Sequence, residues 1–245
     1  MGFSPKKPWG GEGLSSAIMR TQEVFSQDLT SAEKVWFSYR EPDDLAMALA
    51  EEMRGQGMRK VLDVGCGGGR HLVYLAKQGL EVYGTDRSAA GLTISRERLE
   101  KEGLKATLRR CDMTELPFPD EFFDAVLSVY VLHHNILENV GKAVGEIRRA
   151  LKRGGLFFAN LSGKGDYKEG KGEKIEPETY ICDSGIEAGM THHFFTRQEV
   201  KTLLEGFEIM SLKERRGEYV SRSSGLPVMG VHWEIKAQKL RRRCG

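Results

Sequence analysis

Three aspartates and a run of glycines carry the clearest chemical pattern in this chain. Asp63 lies in a short apolar segment, KVLDVG, and Gly65, Gly67, Gly68 and Gly69 follow it in VLDVGCGGGR, residues 61–70. Glycines at that density let the backbone turn tightly and approach a bound molecule with no side chain in the way. Asp86 closes the next apolar segment, in VYGTDRS, where a carboxylate can accept hydrogen bonds from two ribose hydroxyls. A plainer role for Asp86 is as an acidic group at the start of a helix that begins near Ser88. Asp112, in CDM at 111–113, follows a third such segment, at a position suited to accept from an adenine amino group. The glycines do not complete a dinucleotide fingerprint: counting from Gly65 the third position is Arg70, and counting from Gly67 it is Leu72. Nor does GlyLys followed by Ser or Thr occur there, so the loop suits a nucleoside without a pyrophosphate.

A second set of residues can act on an acceptor. YVLHH, residues 130–134, supplies Tyr130 and the adjacent His133 and His134, and an imidazole can remove a proton near neutral pH. Neighbouring side chains in a turn point in different directions, so one histidine at most is expected to act as the base; the others orient a ligand or pack. His192 and His193 form another pair in THHFFT. Histidines from distant loops can converge on a metal, but no metal-ligand spacing joins these pairs, and no metal site is expected. Trp36, Phe37, Tyr39, Tyr167, Phe194 and Phe195 either wall an apolar pocket or pack the additions onto the core. Arg215, Arg216 and Arg222 are candidates for holding an anionic acceptor.

The elements that position these groups alternate. Strands are expected at 60–65, 80–86, 104–110, within 122–134 and at 156–161, with helices at 69–79, 88–103 and 136–151 between them. Ser88 is a suitable helix cap. This βαβα succession predicts an α/β fold: a doubly wound, mainly parallel sheet with helices on both faces. Further helices are expected at 12–24 and 42–56, the latter from Leu45, Leu49 and Met53 at helical spacing. Residues 162–193, rich in glycine and charge, are too long for an ordinary connection and read as an insertion that acts as a lid or lacks order. Thr196 with Glu199 makes a capping box for a helix at 197–205. Two last strands are expected at 207–215 and 231–238, joined by a turn-rich loop.

Composition narrows the function classes. The 245 residues are enough for one α/β domain with additions, divided as 1–56 leader and N-terminal helices, 57–160 core, 161–195 insertion, 196–238 final helix and strand pair, and 239–245 basic tail. Lysine and arginine total 37 against 35 aspartate and glutamate, so no broad positive field recruits nucleic acid. Cys66, Cys111, Cys182 and Cys244 are widely spaced without a CxxC pair, which fits a reducing compartment. No run of eighteen apolar residues and no signal-type segment occurs, so a cytoplasmic location without membrane association is expected.

DVGCGGGR with Asp63, then Asp86, CDM at 111–113, LPFPDEFFDAVLS at 116–128 and LKRGG at 151–155 together resemble the class I S-adenosylmethionine-dependent methyltransferase family over residues 57–160. The resemblance implies a seven-stranded sheet whose last strand is antiparallel, with S-adenosylmethionine as cofactor. It implies that Gly65 and Gly67 approach the methionyl and ribose portion, that Asp63 anchors the amino group, and that Asp86 holds the ribose. Asp112 and the Met113 backbone would face adenine, with Ser128 and Val129 beside the cofactor. Asp124 matches an acidic residue of the family strand, yet its distance from the strand end favours a structural role. The expected activity is in-line methyl transfer to a small-molecule acceptor, with Tyr130, His133 and His134 at the reacting end and histidine as general base. An RNA or protein methyltransferase, or a non-catalytic cofactor-binding partner protein, are the alternatives; oligomeric state is not set by the sequence.

Overall fold

A computed structural model describes residues 30–220 and 225–241; the expected helix at 12–24, Arg222 and the end of the basic tail lie outside the described residues. Its centre is the strand β1 (Lys60–Val64), an apolar run that pairs in parallel with β2 (Glu81–Asp86) on one side and β4 (Phe123–Ser128) on the other. Alternation along β1 sends Leu62 and Val64 to one face and Val61 to the other. Beyond β2 lies β3 (Thr107–Arg110); beyond β4 lie β5 (Leu151–Ser162), β10 (Pro227–Lys239) and β9 (Phe207–Val220). The seven-stranded order is therefore β3-β2-β1-β4-β5-β10-β9, with β10 antiparallel to both its neighbours.

Helices cover both faces. On one side are α2 (Asp44–Gly55), α3 (Arg70–Lys77) and α4 (Ala89–Lys101), whose Leu45, Leu49, Met53, Leu72 and Leu99 pack on Val61, Ala125 and Leu127. On the other are α5 (Leu137–Ala150) and α6 (Arg197–Leu203), where Val140, Ile147 and Val200 meet Leu62, Phe157 and Trp233. Buried leucine, isoleucine and phenylalanine side chains contribute about 1.5–3 kcal/mol each, so these faces carry much of the fold's stability. The local signals operate as the sequence requires: Ser88 accepts from the Gly91 N–H, Asp43 from the Leu45 N–H, and Thr196 and Glu199 exchange the two bonds of a capping box. A short α1 (Ser31–Trp36), absent from the expectation, is capped in the same way by Thr30 and Glu33.

Two further boundaries differ from expectation. The link between the last strands is mostly strand: Gly217–Val220 pairs with Pro227–Gly230, extending the hairpin well past the expected ends. Its glycines and serines read as a turn because both arms project away from the core, where no apolar alternation is required. Within residues 162–193 lies a three-stranded antiparallel sheet, β6 (Glu173–Glu176), β7 (Thr179–Ile181) and β8 (Thr191–His193). Among the described residues, no helix is long and apolar enough to cross a membrane.

Asp124 is structural. Its Oδ2 accepts from the Arg59 and Lys60 N–H groups at 2.9 and 2.8 Å, and its Oδ1 from Lys152 Nζ at 2.6 Å, which ties the starts of β1, β4 and β5 together. Burial opposes its ionisation, yet the Lys152 ammonium and the two N–H donors outweigh burial and hold the carboxyl below its usual value. A depressed folded value means that the contribution is present above the unfolded value of about 3.9 and is lost as pH falls through the folded one. Asp124→Ala is expected to cost about 1–3 kcal/mol in urea unfolding at pH 7. The gap from the parent should narrow in acid; an equal gap at pH 7 and pH 3 would contradict this account.

Candidate functional site

The parallel strands deliver their following loops to one edge of the sheet, the edge at which α/β sheets bind ligands. Immediately after β1, Gly65 has φ 74°, and a Cβ there would lie 2.3 Å from Val131 Cγ2, so only glycine lets this turn pass beneath the loop after β4. The Gly65 and Cys66 N–H groups both donate to the Thr85 carbonyl, at 2.8 and 2.9 Å, and fix the turn against β2.

Asp86 at the end of β2 joins this loop to α4. Its Oδ2 accepts from the Gly67 N–H at 2.7 Å and its Oδ1 from the Ser88 N–H at 2.8 Å. A carboxylate oxygen has more than one acceptor direction, so both oxygens keep capacity for further donors. Burial pushes the carboxyl up to about 6, although the Ser88 and Gly67 N–H groups favour the ionised form. Asp112 lies across the same cavity. Its Oδ1 accepts from the Thr114 N–H and hydroxyl, and its Oδ2 is 3.4 Å from Arg87 Nε.

These groups wall a cavity of about 710 Å³. Gly65, Gly67, Asp86, Asp112, Met113, Val129, Tyr130, His133 and His134, all singled out from the sequence, line it together. Asp63 and Ser128 are not in the wall. Asp63 is buried behind the glycine turn, with His71 Nδ1 at 3.5 Å from an Oδ2 that has no hydrogen-bond partner. Ser128 is fully buried, its hydroxyl donating to the Val64 carbonyl at 3.3 Å; the next residue, Val129, reaches the cavity instead.

One side of the cavity is closed by the chain that follows α1. Trp36, Phe37 and Tyr39 line it, and the Phe37 ring fills the space above the glycine turn, within 2.7 Å of where a Gly67 Cβ would stand. Arg98 on α4 holds this segment down: its guanidinium donates to the carbonyls of Phe37, Tyr39 and Gly68. Sequence reading missed Arg98 because one charged residue on an amphipathic helix resembles any solvated residue. Tyr167, Phe194 and Phe195 are not cavity residues; the two phenylalanines are core, while Arg215 and Arg216 pair with Glu234 and Glu214 on the exposed hairpin.

The far end of the cavity is built by the loop after β4 and by the insertion. Tyr130 sits at φ 58°, a left-handed conformation that costs a bulky residue about 1–2 kcal/mol, with its N–H held by Asn160 Oδ1 at 2.6 Å. Desolvation pushes its phenol up to about 12, so it remains a hydroxyl donor at neutral pH. The His193 N–H donates to the His133 carbonyl at 2.9 Å, lacing β8 to this loop. That tie sets His192 beside His134, their ring centroids 4.6 Å apart, while His133 and His134 are 4.2 Å apart. Burial, reinforced by the neighbouring imidazoles or by the Lys168 charge, holds all three below the usual histidine value, His134 at about 4, and they are neutral at pH 7. His193 faces elsewhere, with its Nδ1 2.6 Å from the Thr179 hydroxyl. Glu187 and Lys168, ion-paired to each other, also line this end, and nothing in their spacing marked them in advance.

Residues 62–159 match the family model described as a methyltransferase domain. Over 102 residues the chain is 38% identical to a ubiquinone/menaquinone biosynthesis C-methyltransferase of Bordetella avium, covering 40% of this chain and 39% of that protein. It is 25% identical to a tRNA N(3)-cytidine methyltransferase of Gallus gallus over 262 aligned residues, 97% of this chain and 68% of the other. Among solved structures, a 1,6-didemethyltoxoflavin-N1-methyltransferase of Burkholderia thailandensis shares the fold with a TM-score of 0.63 at 21% identity, over 97% of this chain and 94% of that one.

The three Arg98 bonds anchor the closing segment to α4 and the glycine turn. Arg98→Met is expected to accelerate backbone hydrogen exchange in residues 37–39 and 67–68, read by mass spectrometry, while exchange in β1 and β4 is unchanged. Equal protection in both proteins would show that Arg98 does not hold the segment.

Proposed function

Because the chain carries a class I S-adenosylmethionine-dependent methyltransferase domain, we propose that it moves the cofactor's methyl group to a small-molecule acceptor held between Tyr130 and the paired histidines. The observation that carries this reading is a single cavity with a nucleoside-type carboxylate at one end and a walled, imidazole-lined chamber at the other. The residues fit the cofactor. The glycine turn has no room for a Cβ, the Asp86 oxygens retain acceptor capacity, and a buried Asp63 oxygen lies unpaired just behind the wall.

In the proposed arrangement, Asp86 accepts the ribose hydroxyls and Asp112 with the Met113 backbone meets the adenine edge. Gly65 and Gly67 lie against the methionyl and ribose portion, and Asp63 steadies the amino group through the turn. Ser128 sets the end of β4 from behind. S-adenosylmethionine, when bound, supplies a methyl group on a sulfonium that is already a good leaving group. The chain's task is then alignment, exclusion of water and assistance to loss of the acceptor's proton. Phe37 and the insertion exclude water, Tyr130 donates a hydrogen bond to the acceptor, and His133 or His134 provides the assistance.

A second reading, an RNA acceptor, is favoured by the likeness to the tRNA methyltransferase along nearly the whole chain. Against it stands the near balance of 37 basic and 35 acidic residues. Salt separates the two: RNA binding weakens steeply between about 50 and 200 mM salt, whereas binding of an uncharged small acceptor does not.

Calorimetry with S-adenosylhomocysteine is expected to show saturable one-to-one binding, with none for NAD in a parallel cell. Asp86→Ala should weaken it by at least about tenfold, since each hydrogen bond to a charged group is worth about 1.5–3 kcal/mol. Because the Asp86 carboxyl is raised to about 6, affinity should fall as pH drops through that value, and Asp86→Asn should abolish the dependence. Binding of NAD alone would overturn the reading. Asp112→Ala should also weaken binding, and unchanged affinity would remove Asp112 from the adenine site.

A further inference from the structure

The imidazoles at the acceptor end have too few partners for groups so deeply buried. His133 Nδ1, His134 Nδ1 and both ring nitrogens of His192 are enclosed by protein and make no hydrogen bond. A buried polar atom without a partner costs about 1–3 kcal/mol, so several in one place call for a shared ligand. One ring nitrogen from each of the three histidines lies within 4.8 Å of the other two. Imidazole nitrogens gathered at that separation are the ligand set of a borderline transition metal, not of the oxygen-seeking calcium or magnesium.

We propose that His133, His134 and His192 bind one divalent cation of the zinc class, with an open coordination position towards the acceptor end of the cavity. Convergence is produced by the fold, since 133–134 follow β4 and 192 lies on β8, and the backbone bond from His193 to His133 fixes their mutual position. Glu187 completes the arrangement. Its Oε2 lies 3.3 Å from His192 Nε2 without hydrogen-bonding it, a nearby negative charge that favours a cation at the cluster. Lys168, paired with the same carboxylate, offsets its charge. Three protein ligands with one position free is the pattern of a site that binds a reactant.

The inference deepens the methyltransferase reading and rests on it for its use: it makes the acceptor a thiol or hydroxyl compound. Such an acceptor binds the cation through sulfur or oxygen, and its proton leaves to solvent. The heteroatom's electron pair then forms the bond to the methyl group as the sulfonium S–CH3 bond breaks and its pair returns to sulfur. Histidine assistance is thereby exerted through the cation and not by direct proton removal.

Binding is tested on the full chain, stripped with chelator and titrated with cobalt(II), with visible absorption as the readout and zinc as competitor. About one cobalt per chain, displaced by zinc, with affinity lowered at least about tenfold in His133→Ala and His192→Ala and less in Glu187→Gln, is the expected result. His232→Gln, a cavity-lining change outside the cluster, should bind as the parent does. Absence of cobalt binding, or equal binding by the His133→Ala and His192→Ala variants, would overturn the site. S-adenosylhomocysteine calorimetry on the same samples reports folding. It also separates the two claims: cofactor binding without cobalt sinks the metal site alone, whereas cobalt binding without cofactor sinks the methyltransferase reading.

Discussion

Parallel pairing of β2, β1, β4 and β5 is the constraint from which the rest follows. Parallel neighbours cannot be joined by a tight turn, so each connection must return to the opposite edge before the next strand begins, as a helix after β1, β2 and β4 and as a loop after β3. All the strand exits therefore crowd onto one edge. The glycine turn after β1, Asp86 after β2, Asp112 after β3 and the Tyr130–His134 loop after β4 meet there although up to about seventy residues separate them. These carboxylates and the Tyr130–His134 loop need no special placement beyond being next in the chain after a strand.

At that edge the energetic problem is polar burial. Asp86 solves it locally, with two backbone N–H groups that lie where α4 begins and where the glycine turn passes. Asp124, at the other end of the sheet, solves it with two N–H groups and a lysine. Asp63 Oδ2 and the imidazole cluster leave buried polar atoms without hydrogen-bond partners among the described residues. Tyr130 adds strain at the same edge, its left-handed backbone held by the bond from its N–H to Asn160 Oδ1.

What the sequence made legible is what short-range physics decides. Period-two apolar runs placed β1, β2 and β4, and the Ser88 and Thr196 caps lie where expected. Asp86 and Asp112 could be assigned to one cavity because parallel topology alone brings successive strand ends together. Ser128 could not be judged from its position at a strand end, since it packs into the interior while its neighbour Val129 lines the cavity. Convergence of His192 with His133 and His134 was illegible for a related reason. It depends on the register of β7 against β8 and on one backbone bond across nearly sixty residues, and no local spacing encodes either. The α1 segment had its Thr30–Glu33 capping box in plain view, yet six residues are too few for helical periodicity to register.

The position of β10 has a consequence for how the chain reaches this form. It follows the other six strands of the sheet in sequence, yet it lies inside the sheet, with β5 on one flank and β9 on the other. A chain emerging from its N-terminus can assemble β1 to β5 with their crossovers, since each new strand finds a partner already in place. β9 emerges next and has none, because its only neighbour has not been made. Until Pro227–Lys239 arrives, the open edge of β5 and the whole of β9 present unpaired backbone groups, the geometry that invites pairing with another chain. Pro227–Lys239 therefore acts as a keystone, and the interval before it is seated is when the sheet is most exposed to misassembly.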